Sequence, residues 1–225
     1  MRASLALLPL ALLAAAPARA DDTVADKVFG AGLMSNVTSP ETLRYRYELS
    51  GVTMAKPYDA PVTVDVRQVA PEGDKKVWFD MFEGQNRRTF GPMDSRDQNP
   101  LVIVFLQRDV TEMGNLTGGS SLYFQQQIRQ AFTGPAEVSP LEVELDGRKV
   151  QATRVVMRPF RDDPQVERFP KFKDKAYEFV VAPELPGGLY RIATSTPDPE
   201  GEVVLAESVT FERADRTAAD AGEAR

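Results

Sequence analysis

Apolar and polar residues alternate in several short segments of this chain, which is the pattern of a half-buried β-strand. In the clearest case, residues 43–49, apolar side chains fall on one face and three charged side chains fall on the other. The pair Asp146-Gly147 lies between two such segments and predicts a tight hairpin. The pattern predicts strands over 43–49, 62–67, 77–82, 141–145, 150–157, 177–181, 189–194 and 203–211, with a further candidate at 84–91.

Residues 99–133 follow a helical period instead. Asn99-Pro100 suits a helix cap followed by proline in the first turn, and apolar residues then recur on one face as far as Met113. The β-branched residues within 101–106 also suit a strand, so helix and strand both stay open there. A second apolar stripe, followed by Gly134-Pro135, predicts a helix over 121–132.

Short strands joined by tight turns and interrupted by one helical pair predict an α+β fold with an antiparallel sheet. The sequence contains neither an internal repeat nor an obvious linker, so we predict a single domain over 21–213, with the helical insert at about 99–133. Residues 214–225 are rich in alanine and acidic residues and contain no aromatic residue. We expect this segment to be a disordered tail.

The first 20 residues have the three parts of a secretory signal peptide. Arg2 precedes a short apolar run, and Ala18-Arg19-Ala20 forms a small-x-small cleavage site in front of two aspartates. The run is shorter than the roughly 20 residues that cross a bilayer as a helix, and no later segment reaches that length. We predict cleavage after Ala20 and a periplasmic or secreted mature protein without a transmembrane segment. The alternative is a retained N-terminal anchor.

The residue types that are missing restrict the chemistry. With 0 cysteines and 0 histidines, the chain cannot form disulfides, Ser-His-Asp or Cys-His catalytic groups, or histidine metal sites. Gly118-Gly119-Ser120-Ser121-Leu122 lacks the last glycine of a nucleophile elbow and suits a helix cap better. A net charge of −6 argues against a nucleic-acid partner. The sequence predicts a non-enzymatic protein without cofactor or metal; a carboxylate-only hydrolase is a distant alternative.

One loop differs in charge from the rest of this acidic chain. Residues 158–175 interleave basic and aromatic residues. The basic residues suit contact with an envelope protein or another anionic surface. Alternatively, the phenylalanines of the loop hold it against the domain.

The order of these elements resembles the periplasmic lipoprotein-carrier family and its lipid-carrier relatives. The resemblance rests on an exported, histidine-free chain with strands at 43–49 and 62–66, a central helical pair and a run of C-terminal hairpins. It implies a strongly curved, half-barrel-like antiparallel sheet with the two-helix insert packed on one face. It also implies an apolar space between sheet and helices that holds acyl chains.

The candidate ligand-binding residues are the apolar side chains expected between the sheet and the helices. If they surround a cavity, the protein binds a lipid or another apolar small molecule there. If they fill the space, it is a structural or protein-interaction module of the cell envelope with a fully packed core. The candidates are Trp78, Met81, Leu106, Val110, Met113, Phe124, Ile128 and Phe132.

Overall fold

The structure is a computed structural model that describes residues 23–30, 32–52 and 56–216. In this part of the chain the α-helices are α1 (Val24–Phe29), α2 (Pro100–Thr117) and α3 (Ser121–Ala131). The strands are β1 (Glu41–Ser50), β2 (Tyr58–Val69), β3 (Lys75–Met81), β4 (Arg88–Ser95), β5 (Glu137–Leu145), β6 (Arg148–Met157), β7 (Ala176–Val181), β8 (Leu189–Pro197) and β9 (Val203–Arg216). Short 3-10 turns lie at Gly84–Asn86, Val166–Arg168 and Pro170–Phe172.

The strands form one antiparallel sheet in the order β4-β3-β2-β1-β9-β8-β7-β6-β5. Two meanders, β1–β4 and β5–β9, meet where β1 pairs with β9. The sheet is open, since β4 and β5 lie at opposite edges, and α2 and α3 connect these two edge strands across one face. Register shifts at Arg44/Tyr45 and Val66/Gln68 mark irregularities of the kind that bend a sheet. The predicted fold class is confirmed.

The alternation in the sequence explains which face of the sheet is covered. Leu43, Tyr45 and Tyr47 on β1 are buried, and they pair in register with Val64, Val62 and Ala60 on β2. The charged residues between them point to the other face, where Arg46 contacts Asp59 and Glu212 at 2.7 Å. The covered, inner face carries the apolar core, and the outer face carries exposed ion pairs.

Helix α2 begins as the Asn99-Pro100 signal predicts. The Asn99 side chain accepts a hydrogen bond from the Leu101 amide at 3.0 Å, and its amide group donates to Gly187 O at 2.9 Å and to Tyr45 Oη at 3.2 Å. This buried cap joins the start of α2 to both halves of the sheet. Residues 101–106 are therefore helical, because capping and the apolar face outweigh the β-branched residues in this segment.

Two boundaries differ from the prediction. Helix α2 continues through Gly114 to Thr117 and ends where Gly118 adopts a positive φ of 64°. Strand β9 runs to Arg216, beyond the predicted domain end at residue 213, because residue 216 pairs with Glu41 on β1. The rest of the predicted tail and the predicted signal peptide lie outside the described residues.

Candidate ligand-binding groove

The space between the sheet and α2 is filled by side chains. Met81 on β3 exposes 4% of its surface and Met113 on α2 exposes 1%, while Tyr45, Phe79 and Phe105 expose 2% or less. These side chains therefore have almost no surface that a water molecule could reach. The structure therefore has a packed core between the sheet and α2, where the sequence left a cavity and a packed core as two alternatives.

An apolar groove lies instead among the helices. Its volume is about 210 Å³, and all its lining residues belong to α1, α2, α3 or the residue that follows α3. The groove contains no strand residue among its lining, so it lies on the helical layer and not beneath it. The apolar lining consists of Phe29, Ile103, Leu106, Val110, Ile128 and Phe132.

The spacing of the apolar residues places them along the groove. Leu106 and Val110 are four residues apart on α2, and Ile128 and Phe132 are four residues apart at the end of α3, so each pair lies on one helical face. These four side chains are buried and form the floor. Ile103, one turn before Leu106, remains 45% exposed and forms an apolar lip.

Helix α1 closes one end of the groove. The Ala25 amide donates a hydrogen bond to Phe132 O at 3.0 Å, and the Phe29 and Phe132 ring centroids are 4.9 Å apart. Thr23 caps this helix by accepting from the Asp26 amide at 3.2 Å. A short N-terminal helix is thereby fixed to the end of α3, and its last residue completes the apolar lining.

The rim of the groove is polar. Gln107 on α2 and Gln125 on α3 line it from opposite helices, and Arg129 lies one turn after Gln125. Arg129 is exposed, and its side chain forms no ion pair or hydrogen bond with any residue that the structure describes. No carboxylate is among the lining residues. The groove thus combines an apolar floor with two amides and one unpaired cation at its edge.

The structure groups only part of the predicted site. Leu106, Val110, Ile128 and Phe132 line the groove, whereas Met81 and Met113 belong to the packed core. The prediction missed five lining residues. Ile103 belongs to the same helical stripe, but Phe29 comes from a distant segment, and the polar residues of the rim lie outside the stripe. The lining residues missed are Phe29, Ile103, Gln107, Gln125 and Arg129.

Trp78 lies on the outer face of the sheet, away from the helices, so its predicted place between sheet and helices is wrong. Val77 and Phe79, its neighbours on β3, are the buried inner residues. The Trp78 ring lies under the Arg67 guanidinium, with the Arg67 Cζ atom 4.7 Å from the ring centroid. The ring also lies close to the backbone of Gly91, where a Cβ would approach it to 2.8 Å. Because 77–82 is apolar at nearly every position, its pattern does not reveal which face is buried.

Phe124 belongs to an aromatic cluster and not to the groove. Its ring makes edge-on contacts with Phe160, Phe169 and Phe172, at centroid distances of 5.9, 5.3 and 6.4 Å. All three partners come from the 158–175 loop and are buried. The structure favours the alternative in which phenylalanines hold this loop against the domain.

Among the residues that the structure describes, no helix combines the length and apolar character that a membrane span needs. The same residues contain no group of three or more acidic side chains placed to hold a metal ion.

No protein-family model matches this chain, and no curated protein matches it significantly. Several solved structures are weakly similar to this chain. Lipoprotein LppX of Mycobacterium tuberculosis is 12% identical with a TM-score of 0.34, over 80% of this chain and 90% of that one. A LolA superfamily protein from Nitrosomonas europaea is 7% identical with a TM-score of 0.24, over 87% and 94%.

A third neighbour is a Vibrio parahaemolyticus domain whose name refers to outer membrane lipoprotein sorting. It is 6% identical with a TM-score of 0.26, over 84% of this chain and 93% of that one.

Below the groove, buried charges join α2 to the sheet. Lys175, just before β7, lies 2.5 Å from Asp109 on α2, and the Tyr177 hydroxyl donates to the other Asp109 oxygen at 2.6 Å. The Asp109 and Lys175 side chains are each 4% exposed. Burial, and then the nearby Asp109 carboxylate, raise the pKa of Tyr177 well above its ordinary value, so the phenol remains a donor. These contacts fix the position of α2 over the sheet.

A second ion pair joins the preceding residue of α2 to β9. Arg108 pairs with Glu207, whose side chain is 7% exposed. Burial raises the pKa of Glu207 above its ordinary value of 4.5, and the Arg108 charge opposes this shift only in part. Asp109 also raises the pKa of Glu207, whereas Lys175 lowers it. The folded protein therefore holds a proton on Glu207 more tightly than the unfolded chain does.

This difference predicts a pH dependence of stability. In the window between pH 4.5 and the raised pKa, the folded state binds more protons at Glu207 than the unfolded state, so the free energy of unfolding falls as pH rises. Glu207→Gln removes this titration. We expect the difference in unfolding free energy between wild type and Glu207→Gln to change across that window and to level off above it. Urea titrations between about pH 4 and about pH 8 measure it; a difference that stays constant would contradict the raised pKa.

Proposed function

We propose that this is an exported, non-enzymatic protein that binds a lipid or another apolar ligand in the groove formed by α1, α2 and α3. The observation that carries the proposal is the apolar groove of about 210 Å³ with Ile103 exposed at its lip. A concave apolar surface with a few polar groups at its edge is the usual form of a small-molecule site. Because the sequence predicts a signal peptide, the proposed site of action is the periplasm or the outside of the cell.

The shape of the groove favours a slender ligand. Pockets that hold drug-sized molecules usually measure about 300–1,000 Å³, so a groove of about 210 Å³ suits a single alkyl chain better than a bulky ring system. Burying one methylene contributes about 0.8 kcal/mol, which makes chain length the main source of affinity. Because the groove lies on the helical layer, a chain enters it without separating α2 from the sheet.

A second function is favoured by a different observation. The buried Met81 and Met113 fill the space between sheet and helices, as expected of a structural or protein-interaction module of the cell envelope. In that case the basic residues of the 158–175 loop are the surface for an envelope protein. The two functions differ in whether a small apolar molecule binds saturably.

Binding of uncharged alcohols tests the proposed function. We expect octanol, decanol and dodecanol to bind one to one, with affinity rising about fourfold for each added methylene until the groove is full. Salt should change these affinities little, because the alcohols carry no charge. Isothermal titration calorimetry, or displacement of a fluorescent apolar probe, measures the series. Absence of saturable binding would favour the interaction module.

Two matched variants locate the binding. Ile103→Asp places a charge on the lip of the groove and should weaken dodecanol binding at least tenfold, because the chain would then lie against a hydrated carboxylate. Leu122→Asp is the control, since Leu122 is also an exposed apolar residue in the first turn of a helix but does not line the groove. Equal binding by both variants would place the ligand elsewhere.

A further inference from the structure

The groove carries a charge at its edge that nothing in the described chain neutralises. Several arginines on the sheet have carboxylate partners: Arg154 lies 2.6 Å from Glu178, and Arg46 lies 2.7 Å from Asp59. Arg129 has no such partner within the described residues, although the chain has 33 acidic against 27 basic residues. An unpaired guanidinium beside an apolar groove has room for an anion that the protein does not itself supply.

The surroundings of Arg129 favour an anion that is joined to an apolar chain. Ile128, the preceding residue, points into the groove floor, so a chain lying on Ile128 has its polar end within reach of Arg129. The rim amides of Gln107 and Gln125 offer further hydrogen bonds and carry no negative charge that would repel an anion. A guanidinium also binds carboxylate or phosphate with two parallel hydrogen bonds.

We infer that the ligand of this groove is an anionic, single-chain amphiphile, with its alkyl chain on the floor and its carboxylate or phosphate against Arg129. This inference rests on the proposed function and specifies its ligand class. The occupant is a small molecule because nine residues line the groove, far fewer than the roughly 20–30 residues that each partner contributes to a stable protein interface. Arg129 also lies in the last turn of α3, where a cation is favourable for the helix, so its test needs a binding measurement as well as a stability measurement.

Probes that share a dodecyl chain and differ in head-group charge test the inference. At neutral pH and low salt, wild type should bind dodecanoate more tightly than dodecanol, and dodecanol more tightly than dodecyltrimethylammonium. Arg129→Gln should weaken dodecanoate binding about threefold, as expected for an ion pair at an exposed site, and should weaken dodecanol binding by less than that. Arg129→Lys should keep most of the preference for the anion. The preference should shrink as salt is added.

Arg148→Gln is the matched control, because Arg148 is exposed on the β5–β6 hairpin and does not line the groove, and its loss changes the net charge equally. We expect it to retain the full preference for dodecanoate. Dodecyl phosphate distinguishes the two head groups: tighter binding than dodecanoate identifies a phosphate-headed lipid, and weaker binding identifies a fatty acid.

Two results would overturn the inference. Equal affinity for the anionic, neutral and cationic probes, unchanged in Arg129→Gln, would remove the role of Arg129 and leave the apolar groove as the proposed site. Failure of all three probes to bind saturably would overturn the proposed function together with its ligand class.

Discussion

Replacing Asp109 with alanine is expected to lower the free energy of unfolding by about 3–5 kcal/mol. The substitution leaves the Lys175 ammonium buried, 4% exposed, without its carboxylate partner, and it also removes the acceptor of the Tyr177 hydroxyl. An uncompensated buried charge costs far more than the loss of an exposed ion pair. Urea unfolding followed by circular dichroism measures the change.

Two controls separate the buried charge from other effects of the substitution. The double variant Asp109→Leu/Lys175→Met should recover most of the lost stability, because replacing both members of a buried pair by apolar side chains is often close to neutral. Glu142→Ala removes an exposed partner of Lys149 and should shift the urea midpoint little. If the double variant is as unstable as Asp109→Ala, the ion pair is not the cause.

The β-structure could be predicted from the sequence because strand periodicity and turn chemistry are local. Asp146 and Gly147 both adopt positive φ angles, 49° and 73°, which is the backbone that an Asp-Gly pair favours in a two-residue hairpin. The resulting β5–β6 register follows directly from that turn. The alternation in β1 likewise identified the buried face, since Arg44, Arg46 and Glu48 each lie between two apolar residues.

Long-range pairings carry no such local signal. Asp109 and Lys175 are 66 residues apart, and each looks like a solvated charge in its own segment. Their burial follows only from the sheet order, which brings the start of β7 under α2. The last three residues of β9 were assigned to the tail for the same reason, because their composition is polar and their strand depends on pairing with β1.

The groove shows what an apolar stripe on a helix can predict and what it cannot. The stripes identified the floor residues, but a stripe gives the direction of a side chain and not the distance to the next helix. Whether apolar side chains fill a space or leave a groove depends on their combined volumes and on what else packs there. Here Phe29, from a segment more than 70 residues before α2, determines where the groove ends.

Phe132→Asp should destabilise the domain by about 3–5 kcal/mol or more, because it removes a buried aromatic side chain and buries a charge in its place. Phe132 is 6% exposed, and its ring contacts Phe29 and Phe179, at centroid distances of 4.9 and 5.6 Å. It therefore joins α1, α3 and the inner face of the sheet at one point. Urea unfolding measures the loss, which should appear as a lower midpoint with a similar slope.

Gln130→Asp is the control for this substitution, because Gln130 is exposed at the same end of α3 and experiences the same helix dipole. It should cost only a small fraction of the Phe132→Asp effect, so that the difference between the two variants reports burial and not the added charge. Since Phe132 also forms the floor of the groove, the milder Phe132→Leu should retain the fold while weakening dodecanol binding. Equal midpoint shifts for Phe132→Asp and Gln130→Asp would show that the end of α3 does not pack against α1 and the sheet.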